Sequence, residues 1–510
     1  MKKYSLTIIL FFCVSLTVLA GQPSWSKKMS KAVFTLKTFS ADGELLGSSS
    51  GFFVGEHGEA ISSYAPFKNA AKAVAIDNAG KEWDVEKILG ANETYDVIKF
   101  RVAIKKSPSV EFAAAKPAVN SNCWILSYKG SMSMVQAKLQ KMESFNTDYT
   151  YYTMSLRSSL DLVGCPLLDD NGKVLGVMQP MNSDGDTLAY AVAATFANQL
   201  KMTGLSLNDP ALRAVHIKKA IPDDLNQAQL MLLIAGSHDS LTYTSVISDF
   251  LKQFPKEPDG YVSRAQLAYS HGRFEDAMHD INMAYELSPQ PNYLYQKGTI
   301  LFAQNKYAEA YDLYQSLFDS PIRSAELFYM ASQCKAKQND SIAQQALLDS
   351  CLAQFSRPLL KEAAPYLLVR AQVRLNANRY RDAVVDLNDY EQLMKSQLND
   401  NFYYIRYQAE VGGRLFQQAL NDIEKAIELA PQNEFYYAEK ASLLVRVGMY
   451  DDAITTSKTL VQLQPTYSDG YLFLGLAQCL KGEKTDGIEN LQKAKELGDT
   501  QAESFIQKYK

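Results

Sequence analysis

From residue 30 to about 205 the apolar residues come in short runs broken by turn-forming residues. Alternation and β-branched content predict strands at Ala32–Phe39, Gly51–Val54, Ala60–Ser63, Ala73–Ile76, Val97–Val102, Cys123–Ser127, Tyr151–Leu156, Val174–Met178 and Leu188–Val192. Asp42-Gly43, His57-Gly58 and Asn171-Gly172 supply turns between them. Many short strands at this spacing predict an all-β sandwich or barrel. A helix over Phe196–Met202 closes this half, and 206–222 reads as a linker. From residue 223 to 510 the period changes: apolar residues recur three and four apart, which predicts an all-α half.

The helical half is repetitive. Residues 272–289, 305–318, 378–393, 413–431 and 448–465 superimpose, and 339–355 and 482–498 follow more loosely. Phe274, Tyr307, Ile342, Tyr380, Phe416, Tyr450 and Lys484 are equivalent, spaced by 33, 35, 38, 36, 34 and 34 residues. Alanine stands three residues later at Ala277, Ala310, Ala383, Ala419 and Ala453, and a small residue nine earlier at Ala265, Gly298, Ala371, Ala441 and Gly475. With Pro289, Pro431 and Pro465 closing units, the pattern resembles tetratricopeptide repeats, which stack helix pairs into a solenoid. Seven units are clear, and Gln227–Pro255 reads as a degenerate eighth. The Ile342 unit lacks the alanine and the Phe416 unit carries Tyr407 in place of a small residue, so local bending is expected in both. The resemblance implies a concave groove holding Tyr295, Phe302, Gln372, Asn376, Tyr404, Gln408 and Arg446, side chains suited to an extended peptide or a partner's helix. The Lys/Asn clamp that some such repeats use for C-terminal carboxylates is absent, and the polar final helix (496–510) suits a cap.

In the β half, LDLVGCPLLDDNGKVLGV (160–177) predicts a hairpin whose runs Pro166–Leu168 and Val174–Val177 flank the turn 169–172. It resembles the G-D/N-S-G-G-P-L stretch of trypsin-like serine proteases, with Gly164 and Cys165 on the two glycines and Val163 on the nucleophile. Residues 48–67 are similar to the segment leading to the catalytic histidine, which falls on Ala65, and 90–100 to the segment placing the catalytic aspartate on Asp96. Residues 188–194 resemble the last strand of the second barrel. Four such segments in order imply a trypsin-like double β-barrel over 30–205, nearest the periplasmic high-temperature-requirement branch. Serine attack needs a hydroxyl, a base and an orienting carboxylate. Only Asp96 remains, and Asp161 and Leu162 also depart from the oxyanion-hole motif, so no catalytic residue is expected. His57 as a displaced base and Cys165 as a substitute nucleophile lack partners at the right spacing.

Composition narrows the function further. A length of 510 residues, 47% of them hydrophobic, predicts two or three globular domains. A net charge of −4 without a Lys/Arg run argues against nucleic acid. Five histidines and ill-spaced cysteines point to no metal, and no cofactor is implied. Residues 1–20, basic at Lys2 and Lys3 and then apolar to Leu19-Ala20, read as a secretory signal peptide. Five cysteines remain beyond it; Cys123 with Cys165 and Cys334 with Cys351 are conceivable disulfides. Asp186-Thr187-Leu188, Asp239-Ser240-Leu241 and Asp340-Ser341-Ile342 resemble acceptor tripeptides of an extracytoplasmic O-glycosylation system, although Leu188 and Ile342 also read as structural.

The expectation is an exported, non-catalytic scaffold or adaptor, periplasmic or associated with an outer-membrane or envelope complex, that binds protein or peptide partners. Two other classes compete with it: a trypsin-like or unconventional endopeptidase whose repeats recruit substrate, and a periplasmic chaperone or carrier holding chains in the vacated cleft.

Overall fold

The computed structural model describes residues 23–128, 131–146, 148–157, 159–180, 187–395 and 397–510; the expected leader lies outside them. After a short helix α1 (Ser26–Met29), the β half forms two closed six-stranded antiparallel barrels. The first contains β1 (Val33–Phe39), β2 (Leu45–Phe53), β3 (Glu59–Ser62), β4 (Lys72–Ile76), β5 (Glu82–Asn92) and β6 (Val97–Val102), in the order β1-β2-β3-β6-β5-β4. The second contains β7 (Asn122–Tyr128), β8 (Met132–Phe145), β9 (Tyr149–Ser155), β10 (Pro166–Leu168), β11 (Val174–Met178) and β12 (Leu188–Ala193), in the order β10-β11-β12-β9-β8-β7. This is the trypsin-like double-barrel architecture.

Phe34, Phe53, Phe67 and Phe100 fill the first barrel, ring against ring. Gly51 is the near neighbour of Phe34: a Cβ there would sit 2.6 Å from the ring. Outward-facing Val33, Phe52, Ile61 and Val97 of the first barrel share one apolar layer with Leu126, Leu168, Val174 and Val192 of the second. That layer clamps the barrels together and sets the cleft between them.

Two strands escaped the sequence pattern. β5 and β8 put only some residues inward and carry Lys, Gln and Glu on the solvent side, and each is interrupted by register shifts. Their apolar signal is diluted although both are paired on two sides.

The stretch read as a linker is stitched to the first barrel. After helix α2 (Ala194–Gln199) and helix α3 (Pro210–Arg213), His216 N–H donates to Ala70 O, Ile88 N–H to Lys218 O, and Ala220 N–H to Ile88 O. Val215, Ile217 and Ile221 are buried.

The helical half begins with α4 (Leu225–Ala235), α5 (Ser240–Gln253) and α6 (Pro258–Ser270). It continues as α7 (Phe274–Leu287), α8 (Pro291–Ala303), α9 (Tyr307–Ser316), α10 (Ala325–Lys337), α11 (Ser341–Leu352), α12 (Ala364–Asn376) and α13 (Tyr380–Met394). The last are α14 (Asp400–Gly412), α15 (Phe416–Leu429), α16 (Glu434–Val447), α17 (Tyr450–Leu463), α18 (Ser468–Lys481), α19 (Lys484–Glu496) and α20 (Ala502–Tyr509). The chain divides into two compact units at Arg264/Ala265, so the α4–α5 pair belongs with the barrels.

Each repeat position, aromatic in five units and Lys484 in the last, opens the second helix of its pair two residues after a turn residue in the left-handed region. These are Gly272, Asn305, Asn378, Arg414, Gly448 and Gly482, with φ between 56° and 105°. The turn ahead of α11 corrects the sequence register. Its left-handed residue is Asn339, so Ser341 rather than Ile342 is the repeat equivalent. Ile342 is 85% exposed, and the buried residues of α11 are Leu347, Leu348, Cys351 and Leu352. Tyr407 is accommodated: it is buried, and its hydroxyl donates to Glu439 Oε2 at 3.0 Å. Arg414 is the costly member of the series, because a Cβ in the left-handed region is strained and Arg lacks the local hydrogen bonds Asn can make. Arg414→Gly is expected to stabilise the solenoid by ~0.5–1 kcal/mol, read as a higher urea midpoint by far-UV circular dichroism. An unchanged or lower midpoint would show that the turn carries no strain.

Neither conceivable disulfide is formed. Cys123, Cys165, Cys334, Cys351 and Cys479 are all buried thiols. Cys123 Sγ donates to Ala137 O and Cys165 Sγ to Asp161 O, each within its own barrel layer. Burial raises the thiols of Cys123 and Cys351 to about 12 and that of Cys334 to about 11.

Candidate functional site

The cleft residues singled out by sequence lie around the C-terminal end of β3. Ser62 ends that strand, and Ala65 opens a 3₁₀ turn, exposed at its surface. Asp96, in the left-handed region with φ 46°, reaches across to the same turn. Its Oδ1 accepts the Ala65 N–H at 2.7 Å, its Oδ2 accepts Ser63 Oγ at 2.5 Å, and its carbonyl accepts the Tyr64 N–H. Burial raises the Asp96 carboxyl above its ordinary value, although these donors favour the charged form. Both carboxylate oxygens thus help to hold the turn that carries Ala65.

Val163 lies across the cleft, after a 3₁₀ turn over Leu160–Leu162, and is 8% exposed. Its carbonyl accepts the Ser50 N–H, tying the stretch to β2 of the first barrel. Its N–H donates back to Leu160 O, and those of Leu162 and Cys165 donate to Ser159 O and Leu162 O. The amide at the nucleophile position is therefore spent on a local turn, whereas oxyanion stabilisation needs it aimed at the cleft. Gly164 is the fold-making remnant: φ is 77°, and a Cβ would meet Ser50 O at 2.2 Å and Ser62 Oγ at 3.0 Å. The hydroxyls of Ser49 and Ser62 bond each other at 3.0 Å, and Ser62 Oγ also donates to Ser50 O. Packed beneath Val163, these serines are fully buried.

Neither stand-in reaches the cleft. His57 is exposed on the turn before β3, at the strand's opposite end from Ala65. Cys165 points into the core of the second barrel with Leu167, Leu175 and Met178. A cavity of about 920 Å³ borders that opposite end of β3, between Glu59, Lys99 and Arg101 and the segments 200–203 and 220–227. Two of its cations are engaged, Arg101 with Glu59 at 2.8 Å and Lys99 with the Asn198 carbonyl.

In the solenoid, the expected groove residues sit on first helices of their pairs. Gln372 and Asn376 bond side chain to side chain on α12, as do Gln408 and Tyr404 on α14. Tyr404 is embedded among Tyr407, Phe435 and Tyr436, Phe302 packs on Tyr307, and Arg446 lies over Phe416. These three therefore serve packing between helices at least as much as the groove surface. Tyr295 packs against Tyr314 and lines a mostly apolar pocket of about 340 Å³ with Gln266, Tyr269, Asn292, Gln296 and Thr299. Sequence reading missed the pocket's other members. Gln266 and Tyr269, and Asn292 with Tyr295, Gln296 and Thr299, recur three and four apart on α6 and α8, which is the signal that places them on one face.

A tetratricopeptide repeat model matches residues 262–325. The chain is similar to small glutamine-rich tetratricopeptide repeat-containing protein 2 of Saccharomyces cerevisiae, 28% identical over 95 residues, 18% of this chain and 28% of the relative. It is also similar to the Hsp70-Hsp90 organizing protein of Triticum aestivum, 20% identical over 236 residues, 44% of this chain and 38% of the relative. The chain thus spans under two-fifths of the length of either relative. Among solved structures, the active form of the Rv3671c protease from M. tuberculosis aligns at 17% identity and a TM-score of 0.31, covering 34% of this chain and 80% of that one. The serine endoprotease from Yersinia pestis aligns at 12% identity and a TM-score of 0.31, covering 34% of this chain and 62% of that one. The double-barrel assignment rests on the strand order described above.

Proposed function

We propose that the protein is an exported, non-catalytic scaffold that binds protein or peptide partners through its repeats, with a protease-fold domain that no longer cleaves. The observation that carries the proposed loss of catalysis is the pair of side chains at the triad positions: Ala65, beside the Asp96 carboxylate that accepts its N–H, has no imidazole, and Val163 has no hydroxyl. Acyl transfer by this family's route needs a base and a nucleophile, and Ala65 and Val163 supply neither, while the Val163 N–H is held by Leu160 O. The repeats supply what a binding protein needs: an amide-rimmed apolar pocket on α6 and α8, large enough for one or two peptide side chains. An envelope partner follows from the expected leader, and tetratricopeptide proteins among the relatives support protein binding.

Two measurements test this. The chain lacking residues 1–20 should leave unfolded casein intact and resist labelling by a fluorophosphonate; cleavage abolished by Cys165→Ala or His57→Ala would overturn the reading. A photo-crosslinking residue at Gln266 in the native cells should trap a defined protein partner, while one at the exposed Val385 on α13 should not. Tyr269→Ala is expected to cut that capture about tenfold, equivalent to ~1.4 kcal/mol, with the melting curve unchanged. Equal trapping at both positions would argue against the pocket.

A further inference from the structure

Two exposed tripeptides, one in each compact unit, are presented in the same way. Asp239-Ser240-Leu241 opens α5 and Asp340-Ser341-Ile342 opens α11. In both, the aspartate is the N-cap. Asp239 Oδ1 accepts the N–H of Thr242 at 2.9 Å, and Asp340 Oδ1 that of Ala343 at 3.0 Å. The serine follows as the first helical residue and is exposed. The third residue is a large aliphatic directed at water: Leu241 is 84% exposed and Ile342 85%.

These are the two most exposed large aliphatic side chains among the described residues, ahead of Leu233 at 76%. Burying a Leu or Ile is worth ~1.5–3 kcal/mol, and at the second position of a helix an acidic or polar residue would serve the exposed end better. Other Asp-Ser pairs behave differently. Ser320, followed by Pro321, and Ser350, followed by the fully buried Cys351, each donate Oγ to a carbonyl of their own turn, Leu317 O and Ala346 O. Fixed carboxylate, outward hydroxyl and bare aliphatic therefore occur together at two places, forming an epitope a modifying enzyme can read without unfolding the chain. The third matching tripeptide begins at Asp186, outside the described residues.

We propose that Ser240 and Ser341 are O-glycosylation sites, recognised through the capping aspartate and the exposed aliphatic that flank each hydroxyl. This goes beyond the protein-binding reading and stands independently of it. In the transfer, serine Oγ attacks the anomeric carbon of a glycosyl phosphate-ester donor. The Oγ–C bond forms as the anomeric C–O bond to the phosphate breaks. The phosphate ester leaves with the bonding pair, and the hydroxyl proton passes to a base of the transferring enzyme. A neutral sugar suits these sites better than a phosphoryl group, whose charge would be set beside the capping carboxylate. A glycan would also cover Leu241 and Ile342 and project from both helix starts as hydrated bulk.

The test is peptide mass spectrometry of the full chain isolated from the cells that make it, with fragmentation that keeps side-chain adducts. Peptides spanning 239–241 and 340–342 should carry saccharide mass increments localised to Ser240 and Ser341, and none should lie on Ser320 or Ser350. Ser240→Ala and Ser341→Ala should each remove the increment at their own site, and the Thr variants should keep it. Leu241→Asp and Ile342→Asp should remove it with the serine in place, at an unchanged melting temperature. Unmodified peptides, a phosphate increment, or glycans indifferent to Leu241→Asp and Ile342→Asp would overturn the proposal at the site concerned.

Discussion

Replacing Asp96 with alanine is expected to destabilise the barrel unit by ~2–4 kcal/mol and, under the proposed non-catalytic role, to change no enzymatic rate. Two contributions set the size. The buried Ser63 Oγ loses its acceptor, and a buried donor left unpaired costs ~1–3 kcal/mol, while the exposed Ala65 N–H turns to water and the bond that holds the turn is lost. Alanine must also hold φ 46°, where Asp and Asn are better tolerated. Asp96→Asn keeps an acceptor for Ala65 and tolerates that backbone, so it should cost under ~1 kcal/mol. The three tryptophans, Trp25, Trp83 and Trp124, all lie in the barrel half, so their fluorescence in urea reports this unit without interference from the tryptophan-free solenoid. In a working triad the ordering is reversed: the carboxylate matters greatly for rate, and Asn is nearly as damaging as Ala. A stable Asp96→Ala protein, or one that loses a casein cleavage the parent possesses, would refute the structural role.

That test marks where sequence reading stops. Ala65, Asp96 and Val163 were placed by the segments around them, because Gly164, the hairpin and the strand patterns are dictated by packing and turn geometry. What Asp96 does was not legible. A retained aspartate looks the same whether it orients an imidazole or caps a turn, and only its distances separate the two. The repeats were readable for a related reason. Gly298 faces Tyr314, and Gly475 faces Gly487 and Leu491, so the small-and-large alternation is itself the helix contact. The misplaced register at Ile342 arose because Ser341, two residues after the left-handed Asn339, carries no aromatic, and the exposed aliphatic beside it imitated the missing one. Buried charge was the least visible. Arg370 meets Asp386, and Arg406 meets Asp422, each pair 16 residues apart and linking the two helices of one unit. Along the chain such residues read as ordinary solvated positions, and the pairing exists only after the helices stack.

The Arg406 cluster makes the solenoid's stability depend on pH. Arg406, buried on α14, donates from Nε and Nη2 to the two oxygens of Asp422, and from Nη1 to Glu391 and Asn388. Lys425 approaches Glu391 at 3.9 Å, so two cations already face two carboxylates. Glu410, one turn along α14, is a third carboxyl: Oε1 lies 4.0 Å from Arg406 Nε, and Oε2 is buried without a partner. Burial, then the charge of Asp422, raises Glu410 from 4.5 to about 8. The folded state therefore keeps a proton that the unfolded chain releases near pH 4.5. Stability from this group is complete below that pH, declines as pH rises towards about 8, and is gone above it. At 1.36 kcal/mol per pKa unit the full shift corresponds to ~5 kcal/mol, of which ~2–4 kcal/mol is expected once the helices relax around the new charge. Glu391, held below its ordinary value by Arg406 against its burial, titrates on the acid side and leaves this window alone. Glu410→Gln is uncharged and can still donate to Asp422, so it should match the parent near pH 4.5 and exceed it by ~2–4 kcal/mol at pH 9. Urea melts followed by far-UV circular dichroism at the two pH values measure this directly. A Gln variant with the parent's pH slope, or one less stable at pH 9, would place the charge elsewhere. Because α14 also carries the Tyr404–Gln408 pair, ionisation of Glu410 is expected to weaken the packing of the helix that holds the middle of the proposed groove. Partner capture that depends on this helix should weaken over the same pH interval in the parent and stay level in Glu410→Gln.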